Sequence, residues 1–249
     1  MDERAEPPRT GRYDATMIDQ PAPMNRRERL RARTVQDIED SSFAIIDAEG
    51  VHALTIAALA RSMAMSAPAV YRYFPSRDAL LAHLITLSYG QLATAMGRAV
   101  EGGAPTPRAL VGLVVAAYRD WALRHRRRYG MLFADRDDNV LGEGTARTPL
   151  NQGMALLVDL LNAVRATAPA DPTSGDDVLD GQLRQWADSQ HKPGTAPDVA
   201  TAAILIWTRV HGIVSLELAG VFENATVEAR RLIDLEIDDA IRPLTSAVR

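Results

Sequence analysis

The stretch "TIAALARSMAMSAPAVYRYFPSRDALL", residues 55–81, decides how this chain is read. Thr55 is an N-cap residue type ahead of a short helical stretch reaching Met63. Only Ala64 and Met65 separate it from Ser66, which can cap a second short helix. Pro68 falls in that helix's first turn, where the missing N–H costs nothing. The second helix ends before Pro75, and Ser76 caps a longer third one. Two short helices across so tight a turn predict a helix-turn-helix, whose second helix enters the major groove with its N-terminal residues nearest the base edges. Ser66, Ala67 and Ala69 then form a slim leading edge that can approach a duplex closely. Tyr71, Arg72 and Tyr73 reach phosphates or base edges behind it, while Val70 and Phe74 face the domain's own core.

Upstream, residues 1–24 carry four prolines and no apolar period, which predicts a flexible tail. Residues 26–48 read as a helix with Leu30, Ile38, Ser42, Ile45 and Ile46 at helical spacing, stopped by Glu49-Gly50. The basic cluster Arg26, Arg27, Arg29, Arg31 and Arg33 opens it.

Downstream, the helix begun at Ser76 places Leu81, Ile85, Leu92 and Met96 on one side and breaks at Gly102-Gly103. Thr106-Pro107 starts another, with Leu110, Leu113, Val114, Ala117 and Trp121 on one face. A shorter element over 126–134, a loop over 135–147 and a helix from Thr148-Pro149 to about Ala166 follow. A short helix is expected over 177–189, and two longer ones over 198–218 and about 226–244. No convincing strand pattern is present. The expected fold is all-α, about nine helices: a tail over 1–24, a three-helix DNA-binding domain over 25–76, and a larger helical bundle over 77–249.

Composition narrows the classes. The 249 residues are 47% hydrophobic with a net charge of −4, so any nucleic-acid contact must be local. The absence of cysteine excludes disulfides, zinc–thiolate sites and thiol nucleophiles. The five histidines are scattered, none in a metal-binding pattern, and neither a Gly-rich phosphate loop nor a Gly-x-Ser-x-Gly elbow occurs. No metal, cofactor or catalytic residue is therefore expected. The apolar run 109–118 is about half the ~20 residues of a membrane span, and no secretory signal is evident. A soluble cytoplasmic protein without membrane contact is expected.

Residues 55–81 resemble the signature of the TetR (tetracycline repressor) family of bacterial transcription regulators, and "IEDSSFAIIDAEGVHAL" before them is similar to that family's first helix. The likeness runs without a gap over about 26–85. It rests on the tight turn, the Tyr-x-x-Phe ending and the basic residue before the fourth helix. Ala64 stands where the family usually has Gly. A positive φ there would cost roughly 1 kcal/mol. The resemblance implies roles by position: Thr55, Tyr71 and Arg77 on the DNA backbone, Ala67, Ala69, Arg72 and Tyr73 at base edges, and the Arg26, Arg27 and Arg29 arm on phosphates or the minor groove. The alanines can sense only thymine methyls, so direct readout should lean on Arg72 and Tyr73. Arg126, Arg127 and Arg128 lie outside that part and suit a surface or interdomain role, pairing with an acidic residue of the first helix.

"WTRVHGIVSLELAG", residues 207–220, resembles the WHG-type C-terminal domain of a subgroup of the family. That implies dimerisation through the last two long helices and an enclosed effector pocket. The apolar stripes support pairing independently: Ala200, Ala203, Ile204, Gly212, Ile233, Ile237 and Ile241 form the candidate dimer interface, although a core explains the same stripes. Tyr118, Trp121, Met131, Phe133, Met154, Trp207 and His211 form the candidate effector pocket, or ordinary core. The expected function is a homodimeric repressor of a palindromic double-stranded operator, released by a small-molecule effector. The alternatives are a small-molecule carrier or enzyme on a helical scaffold, or an interaction module with a filled pocket.

Overall fold

The computed structural model of the chain describes residues 25–133, 147–167, 176–223 and 226–245. The expected tail and most of the loop expected over 135–147 lie outside them. The chain forms two compact units, Met1–Asp37 and Ile38–Arg249. Ten α-helices and one 3-10 turn occur among the described residues, with no strand, so the all-α expectation of about nine helices stands.

Helix α1, Arg26–Glu49, starts at a reciprocal cap. The Asn25 N–H donates to Glu28 Oε2 at 2.8 Å, and the Glu28 N–H donates to Asn25 Oδ1 at 2.9 Å. Its later half buries Ile38, Ser42, Phe43 and Ile46. A 3-10 turn, Val51–Ala53, then leads into α2, Ile56–Ser62. Sequence periodicity gives no sign of this turn, because three residues are too few to set a pattern.

Between α2 and α3, Ala67–Tyr71, the chain turns through Ala64 at φ 52°. The Ala64 N–H donates to the Arg61 carbonyl at 3.3 Å, and the Met65 N–H to the Ala60 carbonyl at 2.8 Å. Those two bonds are the αL cap that usually takes glycine. The alanine therefore keeps the ordinary turn and carries the strain of its Cβ. Helix α3 is shorter than expected: Arg72 is its C-cap, and Tyr73 and Phe74 follow in the closing turn.

Ser76 Oγ accepts the Ala79 N–H and starts α4, Arg77–Arg98; Thr106 Oγ1 accepts the Ala109 N–H and starts α5, Pro107–Arg124. Leu81, Ile85, Leu92 and Met96 are buried on α4 as expected. The inward face of α5 differs: Val111, Val114, Val115, Tyr118 and Trp121 are buried, while Leu113 is 40% exposed. Helix α5 is apolar almost all round, so composition could not fix which side turns inward.

Helices α6, Arg126–Phe133, and α7, Arg147–Arg165, follow. Helix α8, Asp177–Ser189, is capped by Asp176; α9, Pro197–Leu218, and α10, Ala229–Thr245, complete the bundle. Helix α7 packs against α4, α5, α9 and α10, and buries Val158 and Leu161 at the bundle's centre. Helices α4 and α9 are long and apolar enough to cross a membrane by length and composition alone. Here both pack into the bundle, α4 on α5 and α7, α9 on α7, α8 and α10.

Candidate nucleic-acid interface

The short helix α3 divides its residues cleanly. Val70 and Phe74 are buried, whereas Tyr71 is 49% exposed and Arg72, Ser66 and Pro68 are exposed. Ala67, Ala69 and Tyr73 are half-buried beside them. A slim, outward edge flanked by a phenol and a guanidinium is what entry into a groove requires. Thr55 is exposed and caps α2: its Oγ1 accepts the Ala58 N–H at 3.0 Å. That leaves the hydroxyl proton to donate outward. Arg26, Arg27 and Arg29 are exposed on the first turns of α1.

Arg77, expected on the DNA backbone, also bonds within its own chain. Its Nε donates to the Leu54 carbonyl at 2.7 Å and its Nη2 to the Val51 carbonyl at 3.0 Å. Sequence gives no signal for these partners, which lie 23 and 26 residues upstream.

The expected effector residues divide into three groups. Tyr118, Phe133, Trp207 and His211 meet in one aromatic cluster that Tyr129 completes. The hydroxyls of Tyr118 and Tyr129 each lie 2.9 Å from His211 Nδ1, and Tyr129 reaches Ser215 Oγ at 3.0 Å. Tyr129 and Ser215 escaped the sequence reading: Tyr129 follows an Arg run that reads as surface, and Ser215, though on the same helix face as Trp207 and His211, is a small polar residue within an apolar stripe. Burial pushes the His211 imidazole below its usual range and the Tyr118 hydroxyl well above it. A neutral imidazole, protonated at Nε2, offers Nδ1 as the acceptor that the hydroxyls need.

Trp207 and Met154 also line a small apolar cavity of about 20 Å³ with Tyr89, Leu92, Met96 and Gly153, room for about one water. Trp121 and Met131 do not line it. Both are core, Trp121 lying against His125 with ring centres 5.2 Å apart.

The candidate dimer residues need correction. Ala200, Ala203, Ile233, Ile237 and Ile241 are buried within the single chain, where α9 packs on α10, α7 and α8. These side chains are core and leave no surface for a second copy to cover. Ile204 and Gly212 are half-exposed. The exposed apolar side chains nearby are Leu216 on α9, 48% exposed, and Leu235 on α10, 60% exposed.

The fold and the divided face of α3 define a helix-turn-helix regulator with a helical C-terminal bundle. Residues 38–84 match the bacterial regulatory proteins of the tetR family, and residues 111–240 match the tetracyclin repressor-like C-terminal domain. The chain belongs to the TetR family of transcriptional regulators. It is 28% identical to the HTH-type transcriptional regulator Rv1816 of Mycobacterium tuberculosis over 205 residues, 78% of this chain and 82% of that one. The crystal structure of the protein SCO4313 matches with a TM-score of 0.71 and 31% identity, covering 88% of this chain and all of that one. A protein of unknown function from Rhodococcus sp. RHA1 shares the fold at a TM-score of 0.63 and 21% identity, over 92% of this chain and all of that one.

Proposed function

We propose that the chain is a homodimeric repressor that binds a two-fold symmetric operator and is released from it by a small molecule. The observation that carries the DNA reading is the division of α3: Tyr71 and Arg72 outward, Val70 and Phe74 inward. Thr55, Ser66, Ala67, Ala69 and Tyr73 complete the docking edge, and Arg26, Arg27 and Arg29 supply charge to phosphates. Two copies of α3 must lie about 34–36 Å apart, or a multiple of that, to enter successive major grooves.

Pairing is assigned to the outward face of α9 and α10, with Ile204, Leu205, Gly212 and Leu216 on the one and Leu235 on the other. A Cβ built on Gly212 meets nothing within 4 Å in the single chain, so a second helix can approach closely there.

The effector is assigned to the apolar cavity and the Tyr118–Tyr129–His211 cluster, which share Trp207. A ligand larger than one water must displace the flexible side chains of Met96 and Met154. Its effect on DNA affinity is bounded by its preference for one bundle arrangement over the other.

Selection of bound duplexes from a random pool tests the reading. A two-fold symmetric sequence should be enriched, with affinity falling steeply with salt. A small-molecule carrier would enrich nothing and show no such salt dependence.

A further inference from the structure

Arg77 occupies the first position of α4, yet it reaches back to the segment that launches α2. Its two donors go to different carbonyls. Val51 opens the 3-10 turn, and its oxygen already accepts the Leu54 N–H at 3.2 Å. Leu54 immediately precedes the N-cap Thr55 and is 0% exposed. Its carbonyl is cut off from water, and the Arg77 Nε–H is the donor it receives. A buried carbonyl stripped of its donor is strongly disfavoured, so without the guanidinium this segment must shift to find another. The segment cannot shift alone, because it sets the start of α2, and the tight αL turn at Ala64 fixes α3 to the end of α2.

The geometry points to Arg77 as a positioning residue for DNA recognition: its guanidinium clamps the Val51 and Leu54 carbonyls to the head of α4 and so sets the pose of α2 and α3, instead of serving as a phosphate ligand. The fork matters as much as the charge. Nε and Nη2 are held in one plane and bridge two carbonyls, which the single ammonium of a lysine does not reproduce. The inference rests on the DNA-binding reading given above.

The experiment compares the full-length protein with Arg77→Ala and Arg77→Lys on two duplexes, the one enriched by selection and a random sequence of equal length. Both variants should bind the selected duplex about tenfold more weakly while binding the random duplex within about threefold of the parent. The slope of log affinity against log salt on the random duplex should stay unchanged, because no phosphate contact is lost. Hydrogen exchange at the Ala58 and Leu59 amides, in the first turn of α2, should accelerate in both. Should Arg77→Ala fail to fold, Arg77→Lys decides by the same readouts.

The assignment is overturned if Arg77→Lys binds both duplexes as the parent does while Arg77→Ala weakens both equally with a slope shallower by about 0.9, the signature of one phosphate contact. Parent-like binding of both variants to both duplexes overturns it as well. A parent protein that binds no duplex sinks the DNA reading itself and this inference with it.

Discussion

Arg128 Nε lies 3.0 Å from Asp47 Oδ1, joining α6 to the end of α1. The same guanidinium sits 4.0 Å above the Phe43 ring, and its Nη1 donates to Gln91 Oε1 on α4 at 3.2 Å. The next residue, Tyr129, bonds His211 and Ser215 on α9. Helix α6 thus holds the polar cluster at one residue and the first and fourth helices at its neighbour. Arg128→Ala should lower stability by about 1–2 kcal/mol, the sum of a partly exposed ion pair and a cation–π contact. In a double-mutant cycle with Asp47→Asn, chemical denaturation should give a coupling of at least about 0.5 kcal/mol. Strict additivity would remove the pair from the account.

The His211 imidazole, lowered by burial from 6.5, gives stability a defined pH dependence. Above about 6.5 both the folded and the unfolded imidazole are neutral, and stability is fully present. As pH falls through that value the unfolded chain takes up the proton first, so stability declines until the folded imidazole is protonated too. His125 is lowered in the same direction, by burial and then by Arg128. His211→Gln should therefore flatten in part the fall of stability below about pH 6.5, with His125 supplying the remainder. An unaltered profile would show that His211 is not held neutral by its surroundings.

Ala64→Gly offers a gain. Glycine relieves the Cβ strain at φ 52° but adds freedom to the unfolded chain, for a net stabilisation of about 0.5–1 kcal/mol. Thermal unfolding checks it, and a lower melting temperature would contradict the strained-turn reading.

Caps and punctuation were the most legible part of this sequence. Thr55, Ser76 and Thr106 begin α2, α4 and α5 as expected, each side-chain oxygen accepting an orphan N–H, whereas Ser66 begins α3 without a side-chain cap bond. The outward Tyr71 and Arg72 were legible for a similar reason, since Val70 and Phe74 claim the inward side of so short a helix. Ala200 and Ile237 were not. Periodicity reveals an apolar stripe but not what covers it, and here the cover is the chain's own helices. Nor were the carbonyl partners of Arg77 legible, because they belong to a 3-10 turn and the residue before a cap, whose positions depend on the whole fold.

Pairing through the outer face of α9 and α10 is tested at Gly212 and Leu216. Gly212→Leu adds bulk where the single chain leaves open space, so each subunit should still fold. Leu216→Arg places a charge on an exposed apolar site. Both variants should run as monomers in analytical ultracentrifugation with near-parental helix content. Persistent dimers in both would move the interface elsewhere.

The central claim, that α3 lays its exposed edge along DNA, is tested most directly by repeating duplex selection with Tyr71→Phe and Arg72→Ala. Tyr71→Phe should enrich the parental sequence at several-fold lower affinity, as loss of a backbone contact requires, whereas Arg72→Ala should relax or change the bases chosen at one position in each half-site, at about 1–3 kcal/mol for the lost base contact. Enrichment of the same sequence at parental affinity by both variants would contradict the claim.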